Sequence, residues 1–377
     1  MPNPTPSASA LPPLAPRIFG KTGLSIGVPA AVYQRTAWPL LARMDPEDAH
    51  TLVLRLLSLA QRIPGVVVIL DRLFAVRDPR LSVNLFGLDF PNPVGLAAGL
   101  DKEARAPRSF AALGFGSVEV GTVTPLGQPG NPRPRIFRMP EHHALINRMG
   151  FPNGGAFATR ARLLRGGSPL PGGAVLGVNL GKNALTPMED AARDYLSVLD
   201  TFHDLAGYAV VNVSSPNTKG LRDLQERRTL ELLLTAVVGR RDKLSSRGRR
   251  VPVLVKIAPD LDNAQIAAIV EAVIAVGVDG IIATNTTLSR DGMADPRARE
   301  TGGLSGEPLR HRSTEIIRLL AAETKHLVPI VGVGGISHPD HALEKLDAGA
   351  SLIQLYTGFI YGGPTLPAQI CKAVLSR

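Results

Sequence analysis

Past residue 91 the chain alternates between short apolar runs and longer helix-like stretches. Eight runs read as strands: residues 93–97, 117–121, 175–179, 209–213, 253–257, 280–283, 330–333 and 352–355. Each is apolar along its length and not only at every second position, the mark of a parallel strand buried on both faces. Most end in a polar or glycine-rich turn. Eight such units with helices between them close into a (β/α)8 TIM barrel. An open, doubly wound parallel sheet is the alternative that the same pattern allows.

Residues 30–63 carry a different pattern and read as two helices. Asp45-Pro46-Glu47 is a helix start, with Asp45 as cap and Pro46 in the first turn. From there Ala49, Leu52, Val53, Leu56, Leu57 and Ala60 form one stripe, with Leu54 and Leu59 off it. That helix is greasier than one buried face requires. It either packs on a larger domain or offers a second apolar face to a membrane or an apolar ligand. The expected organisation is a Pro-rich mobile leader over 1–29, a helical domain over 30–78 and a barrel domain over 79–377. No run of about eighteen apolar residues is present, since Arg55, Gln61, Arg62 and Pro64 interrupt residues 52–70.

Composition narrows the function. The 377 residues are 44% hydrophobic and 20% charged, enough for a sizeable core. A net charge of +10 favours anionic partners, but no basic run is interleaved with aromatics, which argues against nucleic acid. The single cysteine, Cys371, excludes an internal disulfide and a CxxC metal site.

A barrel's active site lies at the C-terminal ends of its strands. The residues there are Ala98 to Lys102, Thr122, Asn179 with Lys182 and Asn183, Asn212 to Thr218, Lys256, Thr284 to Thr287, Gly334-Gly335, and Tyr356-Thr357-Gly358. The set is poor in carboxylates and histidines, so a two-carboxylate hydrolase and a metal centre are weakly supported. Amides and hydroxyls suit the polar edge of a flat heterocycle, and lysines suit an anion or a reduced ring. Glycine-rich turns after the last two strands suit a phosphate. Together they suggest a mononucleotide such as FMN. Ser215, in a Ser-Ser-Pro-Asn turn, is a candidate for proton transfer, although a serine base needs an activated relay.

Several long runs carry a resemblance. Ala97-Ala98-Gly99-Leu100-Asp101-Lys102, Asn147-Arg148-Met149-Gly150-Phe151, Asn212-Val213-Ser214-Ser215-Pro216-Asn217-Thr218, Lys256-Ile257-Ala258-Pro259-Asp260, Thr284-Asn285-Thr286-Thr287, Thr301-Gly302-Gly303-Leu304-Ser305-Gly306 and Gly332-Val333-Gly334-Gly335 resemble those of class 2 dihydroorotate dehydrogenases. The resemblance spans roughly residues 35–375. It implies an FMN barrel that oxidises dihydroorotate to orotate in pyrimidine synthesis and reduces a membrane quinone. FMN would be held by Ala98, Gly99, Lys102, Thr122, Asn179, Asn212, Lys256, Thr284, Gly306, Gly335, Tyr356 and Thr357. The orotate ring would be gripped by Lys102, Asn147, Asn212, Asn217, Asn285 and Thr286, with Asn147, Arg148, Met149, Gly150 and Phe151 as a loop over it.

The resemblance makes Ser215 the catalytic base, with Thr218 and Phe151 beside its proton relay, and Lys256 the group that stabilises the reduced ring. The soluble class uses a cysteine base, and Cys371 lies far from this turn in sequence. The helical pair implies a quinone tunnel lined by His50, Arg138 and Tyr356, and a seat on the cytoplasmic face of a bacterial-type membrane. Pro152 departs from the family, which usually has Asn there. Residues 1–16 hold no arginine or lysine, so no transit peptide is evident. Three rival readings remain at this point: a nicotinamide-linked FMN barrel, a sugar-phosphate barrel enzyme without redox chemistry, and a membrane-binding scaffold.

Overall fold

The computed structural model describes residues 29–246 and 248–377. The leader expected over 1–29 lies outside them but for Pro29. Eight parallel strands form the centre: β1 (Val94–Leu96), β2 (Ser117–Val123), β3 (Val175–Leu180), β4 (Tyr208–Asn212), β5 (Val253–Ile257), β6 (Gly280–Ala283), β7 (Ile330–Val333) and β8 (Leu352–Leu355). Each pairs with the next, and β8 pairs with β1 through Leu355 and Leu96, so the sheet closes. Closure excludes the open-sheet alternative and leaves no edge in the barrel.

Alternation along each strand decides what every side chain does. Val118, Val120, Val211, Val255 and Ile281 face outward and join the core under the helices. Ala97, Val210, Leu254, Ile282, Val333 and Leu352 face inward. The interior is graded along its axis. At the floor, an antiparallel hairpin (Val83–Leu85 with Leu88–Phe90) inserts Phe90 beside Tyr208, ring centroids 6.4 Å apart. At the mouth, Glu119, Asn179, Asn212, Lys256 and Gln354 are all buried.

The outer helices are set by local signals as well as by burial. Helix Asn263–Val276 begins with a reciprocal cap: Gln265 N donates to Asp262 Oδ1 at 2.8 Å and Asp262 N to Gln265 Oε1 at 2.9 Å. It ends at Gly277, whose φ of 75° is the left-handed conformation that glycine adopts freely.

The N-terminal segment departs from expectation in two ways. It holds four helices, not two: α1 (Ala30–Arg35), α2 (Ala37–Arg43), α3 (Pro46–Ala60) and α4 (Val66–Phe74). Thr36, with φ −113°, separates α1 from α2, and Gly65, with φ 84°, admits α4 directly after α3. The cap on α3 forms as expected, with Asp45 accepting from Glu47 N at 2.9 Å, an interaction worth about 1 kcal/mol.

The second departure is the face that α3 buries. Ala49 and Leu54 are buried, whereas Leu52 and Leu56 are 38% and 58% exposed. Periodicity alone cannot choose between two apolar faces. Glu47 chooses, by pairing with Arg135 at 2.7 Å, each side chain only 11% exposed. Two small antiparallel sheets, also unforeseen, stand at the mouth. One joins Gly303–Gly306, Ala144–Asn147 and Ile136–Met139; the other joins Leu126–Gln128 and Asn153–Gly155.

Candidate active site

The strand ends and the small sheets enclose a cavity. Of the residues expected to hold a mononucleotide, Ala98, Gly99, Lys102, Thr122, Asn212, Lys256, Thr284, Gly306, Gly335, Tyr356 and Thr357 line it. Asn179 does not. It lies beneath, accepting from Thr122 Oγ1 at 2.5 Å and from Asn212 Nδ2 at 2.9 Å. Of the expected ring contacts, Lys102, Asn147, Met149, Gly150, Phe151, Asn212, Asn217, Asn285 and Thr286 line the same cavity. Arg148 is the exception. Its guanidinium binds Glu300 at 2.7 Å and lies over the Phe137 ring at 4.6 Å. The main chain of the loop covers the cavity, and this side chain anchors the loop outside it.

The amides are held by one another, which fixes their orientation before any ligand arrives. Asn179 Nδ2 donates to Glu119 Oε1 at 2.8 Å, and Gln354 Nε2 to Glu119 Oε2 at 2.5 Å. Asn212 Oδ1 accepts from Ser214 Oγ at 3.1 Å, which in turn accepts from Asn285 Nδ2 at 3.0 Å. Asn217 Nδ2 donates to Asn147 Oδ1 at 3.3 Å, tying the β4 turn to the covering loop. Among the described residues three buried oxygens have no partner, and two of them, Thr286 Oγ1 and Gln354 Oε1, belong to residues that line the cavity. Buried polar atoms without partners are costly, so they mark places where a ligand completes the network.

Two ammonium groups reach the cavity. Burial lowers the pKa of Lys256, and the charge of Glu119 opposes that shift. Burial also brings Lys102 down to about 8, with Glu47 opposing. Lys102 Nζ donates to the Gly99 carbonyl at 2.6 Å. No carboxylate lines the cavity. A desolvated, cationic site of this kind suits an anion and an electron-rich ring.

Ser215 lies in this cavity and is 4% exposed; its Oγ accepts from Asn217 N at 3.2 Å. Thr218 is also buried but does not line the cavity. At the other end, Gly334 and Gly335 have φ 120° and 73°. A Cβ on Gly335 would sit 2.6 Å from Arg310 N, so only glycine permits this turn. Thr357 Oγ1 donates to Ser305 Oγ at 2.8 Å across the same end. The arrangement fits FMN: bare backbone for a phosphate, amides and unpartnered oxygens for the ring, ammoniums for its charge.

The three residues expected to line a quinone tunnel do not share one cavity. Tyr356 lines the one described, its hydroxyl donating to Gly99 O at 3.3 Å. His50 lines a second cavity beneath α3, which meets the first at Lys102 and Met149. Burial, then the charge of Lys102, drives the His50 pKa down to about 3, so its imidazole is neutral. Arg138 lines neither, donating instead to Ala42 O at 2.9 Å and Met44 O at 3.1 Å.

Glu119, Gln354 and Ser305 were missed in the sequence. The signal for Glu119 and Gln354 was available, since each is a polar residue inside an otherwise apolar strand, at an inward position. Ser305 sits in a short strand that no periodicity announces. Among the described residues no group of three or more His, Cys, Asp or Glu could hold a metal ion, and no helix is long and apolar enough to cross a membrane.

A family model described as dihydroorotate dehydrogenase matches residues 80–377. A dihydroorotate dehydrogenase (quinone) from Chromobacterium violaceum is 52% identical over 337 residues, which cover 89% of this chain and 95% of the relative. One from Ralstonia nicotianae is 51% identical over 340 residues, covering 90% and 97%. Among solved structures, that of DHODH in complex with ferulenol from Eimeria tenella superposes with TM-score 0.83 and 39% identity, covering 90% of this chain and 93% of that one.

Proposed function

The chain belongs to the dihydroorotate dehydrogenase family, in its quinone-dependent class, and from that premise we propose how its residues divide the work. The reaction oxidises dihydroorotate to orotate, a step in pyrimidine biosynthesis. Bound FMN would supply the two-electron chemistry, accepting from dihydroorotate and returning electrons to a quinone.

Ser215 is the base that removes the C5 proton of dihydroorotate. Its place in the cavity beside Asn212 and Asn217, with no carboxylate or histidine lining the same space, supports that role. Cys371 offers no rival: it is buried in the outer core, on helix Leu366–Leu375. Asn147, Asn217, Asn285 and Thr286 orient the pyrimidine, and Lys102 meets its carboxylate. Lys256 holds positive charge against the ring of the cofactor, and Gly306, Gly335 and Thr357 receive its phosphate. The proton leaves Ser215 past Phe151 and Thr218. The quinone approaches from the side of α1–α4, where Arg138 and Tyr356 lie along its path and His50 shares a cavity with Lys102. The apolar faces of those helices seat the protein on the cytoplasmic face of a membrane.

One observation carries this reading. Amide, hydroxyl and ammonium groups from six of the eight strand ends, with a glycine turn from a seventh, converge on one cavity whose lining residues include two with unpartnered oxygens. The test is spectroscopic. The purified protein is expected to be yellow, to bleach when dihydroorotate is added without air, and to recover colour with a quinone analogue. A colourless protein that takes up no FMN would refute the cofactor assignment. A yellow protein that dihydroorotate leaves unbleached would refute the substrate.

A further inference from the structure

Lys345 is the most buried cation that this chemistry leaves unused. It belongs to helix Pro339–Asp347, and its side chain is fully enclosed, at 0% exposure. Its ammonium donates to Arg310 O at 2.8 Å and to Ser313 Oγ at 2.6 Å, and it also bonds Thr314 Oγ1. All three acceptors are neutral. The adjacent carboxylate, Glu344, is engaged with Arg310 Nε at 2.5 Å. A buried charge without a bonded counter-ion is unfavourable, and burial accordingly lowers its pKa to about 7.

The position of this charge is informative. Ser313 Oγ, which accepts from the ammonium, donates to Gly334 O at 2.9 Å, the nearer of its two acceptors, with Arg310 O at 3.1 Å. Lys345 Cβ lies 3.3 Å from where a Cβ on Gly332 would stand, so the side chain packs directly behind the end of β7. Gly334 and Gly335 form the turn assigned to the phosphate. The cation therefore sits on the far side of that turn from the cavity, one hydroxyl away from its main chain.

We propose that Lys345 is a positioning residue for the cofactor phosphate. Through Ser313 it holds the Gly334–Gly335 turn in its phosphate-receiving shape, and its buried charge offsets that of the phosphate across the turn. The proposal rests on the FMN reading. It makes one distinctive demand, that Lys345 favours FMN over riboflavin, which has the same ring and no phosphate.

The test is flavin exchange in the holoenzyme. Bound FMN is displaced with riboflavin, and the concentration ratio of riboflavin to FMN at half exchange is read by chromatography of the flavins that stay bound to the protein. In Lys345→Met, which keeps the length and removes the charge, that ratio is expected to fall about ten- to a hundredfold, the range for removal of a charge-assisted hydrogen bond. In Ser313→Ala, which cuts only the bridge, it should fall about three- to tenfold. An unchanged ratio in Lys345→Met overturns the proposal, even if all flavin binds more weakly, because a purely structural role affects both flavins alike. Should that variant fail to fold, an unchanged ratio in Ser313→Ala overturns it equally. A parent protein with no preference for FMN would instead sink the phosphate site itself.

Discussion

Helix Arg227–Ser245 and helices α3 and α4 are all amphipathic, but they spend their apolar faces differently. The barrel helix buries Leu230, Leu233, Leu234, Val237 and Val238. Helix α4 has no fully buried residue; Leu70 and Phe74 pack partly buried against the core, while Val68 and Ile69 are 53% and 55% exposed. Leu56 and Leu59 on α3 are 58% and 57% exposed. Helices α1–α4 are fastened to the barrel by Leu54, Leu57, Leu70 and Phe74, which pack on its core, and by polar links: Tyr33 to Ile360 O at 2.7 Å, Gln61 to Arg105 O at 2.8 Å, Ser109 to Leu57 O at 2.7 Å, and the Glu47–Arg135 pair. The barrel helix gives its apolar face to the core. The N-terminal helices give the core one face and leave the other, with Leu52, Leu56, Leu59, Val68 and Ile69, for something outside the chain.

That contrast predicts that the two halves of the reaction can be damaged separately. The largest effect belongs to the barrel. Ser215→Ala should slow bleaching of the flavin by dihydroorotate about 10²- to 10⁴-fold, the usual worth of a positioned base, while flavin content and reoxidation by quinone stay as before. Stopped-flow absorbance separates the steps; equal damage to both would break the contrast.

Next comes pH. Lys102 is protonated below about 8 and burial is the chief reason its pKa lies so low. Binding of the orotate anion should be flat below that point. Above it, affinity should fall about tenfold per unit as the free enzyme loses the charge, until the pKa of the complex is passed. Titration calorimetry from pH 6 to 10 measures this, and a flat profile would remove Lys102 from the groups that meet the anion.

The helices should answer to a different probe. Leu56→Asp with Ile69→Asp is expected to weaken binding to anionic vesicles about tenfold or more, because two apolar side chains no longer leave water on docking. Melting should move little, since both side chains are exposed. If the double variant sediments with vesicles like the parent, the outward face is not the docking face. The smallest change in turnover is expected of Glu47→Gln. It leaves Arg135 without its counter-charge and should cost about 1–3 kcal/mol in stability. Turnover with a short, water-soluble quinone should slow several-fold, with bleaching by dihydroorotate unaffected.

The barrel was legible because a parallel strand buried on both faces is apolar throughout, and eight such runs leave few ways to close. The site was legible at second hand. Strand ends could be located, but only the matching of whole motifs assigned Asn147 or Thr286 to a substrate. Arg148 shows the limit of motif reasoning. It belongs to the covering loop in sequence, yet its charge is spent on Glu300 outside the cavity. Leu54 shows the limit of periodicity, since α3 has two apolar faces and an ion pair decided between them. Glu119 and Gln354 were legible as polar breaks in apolar strands, but nothing in the runs themselves tied them to the amides they hold.

The hairpin that inserts Phe90 makes the barrel a vessel with a stopper at one end. Reactants and products then have only the opposite rim through which to exchange. Helix α3 and the two small sheets already take up part of that rim, so traffic there is crowded by construction. A catalyst with a single open side favours turn-taking: one reactant leaves its electrons behind and departs before they are collected, and only charge need cross the interior.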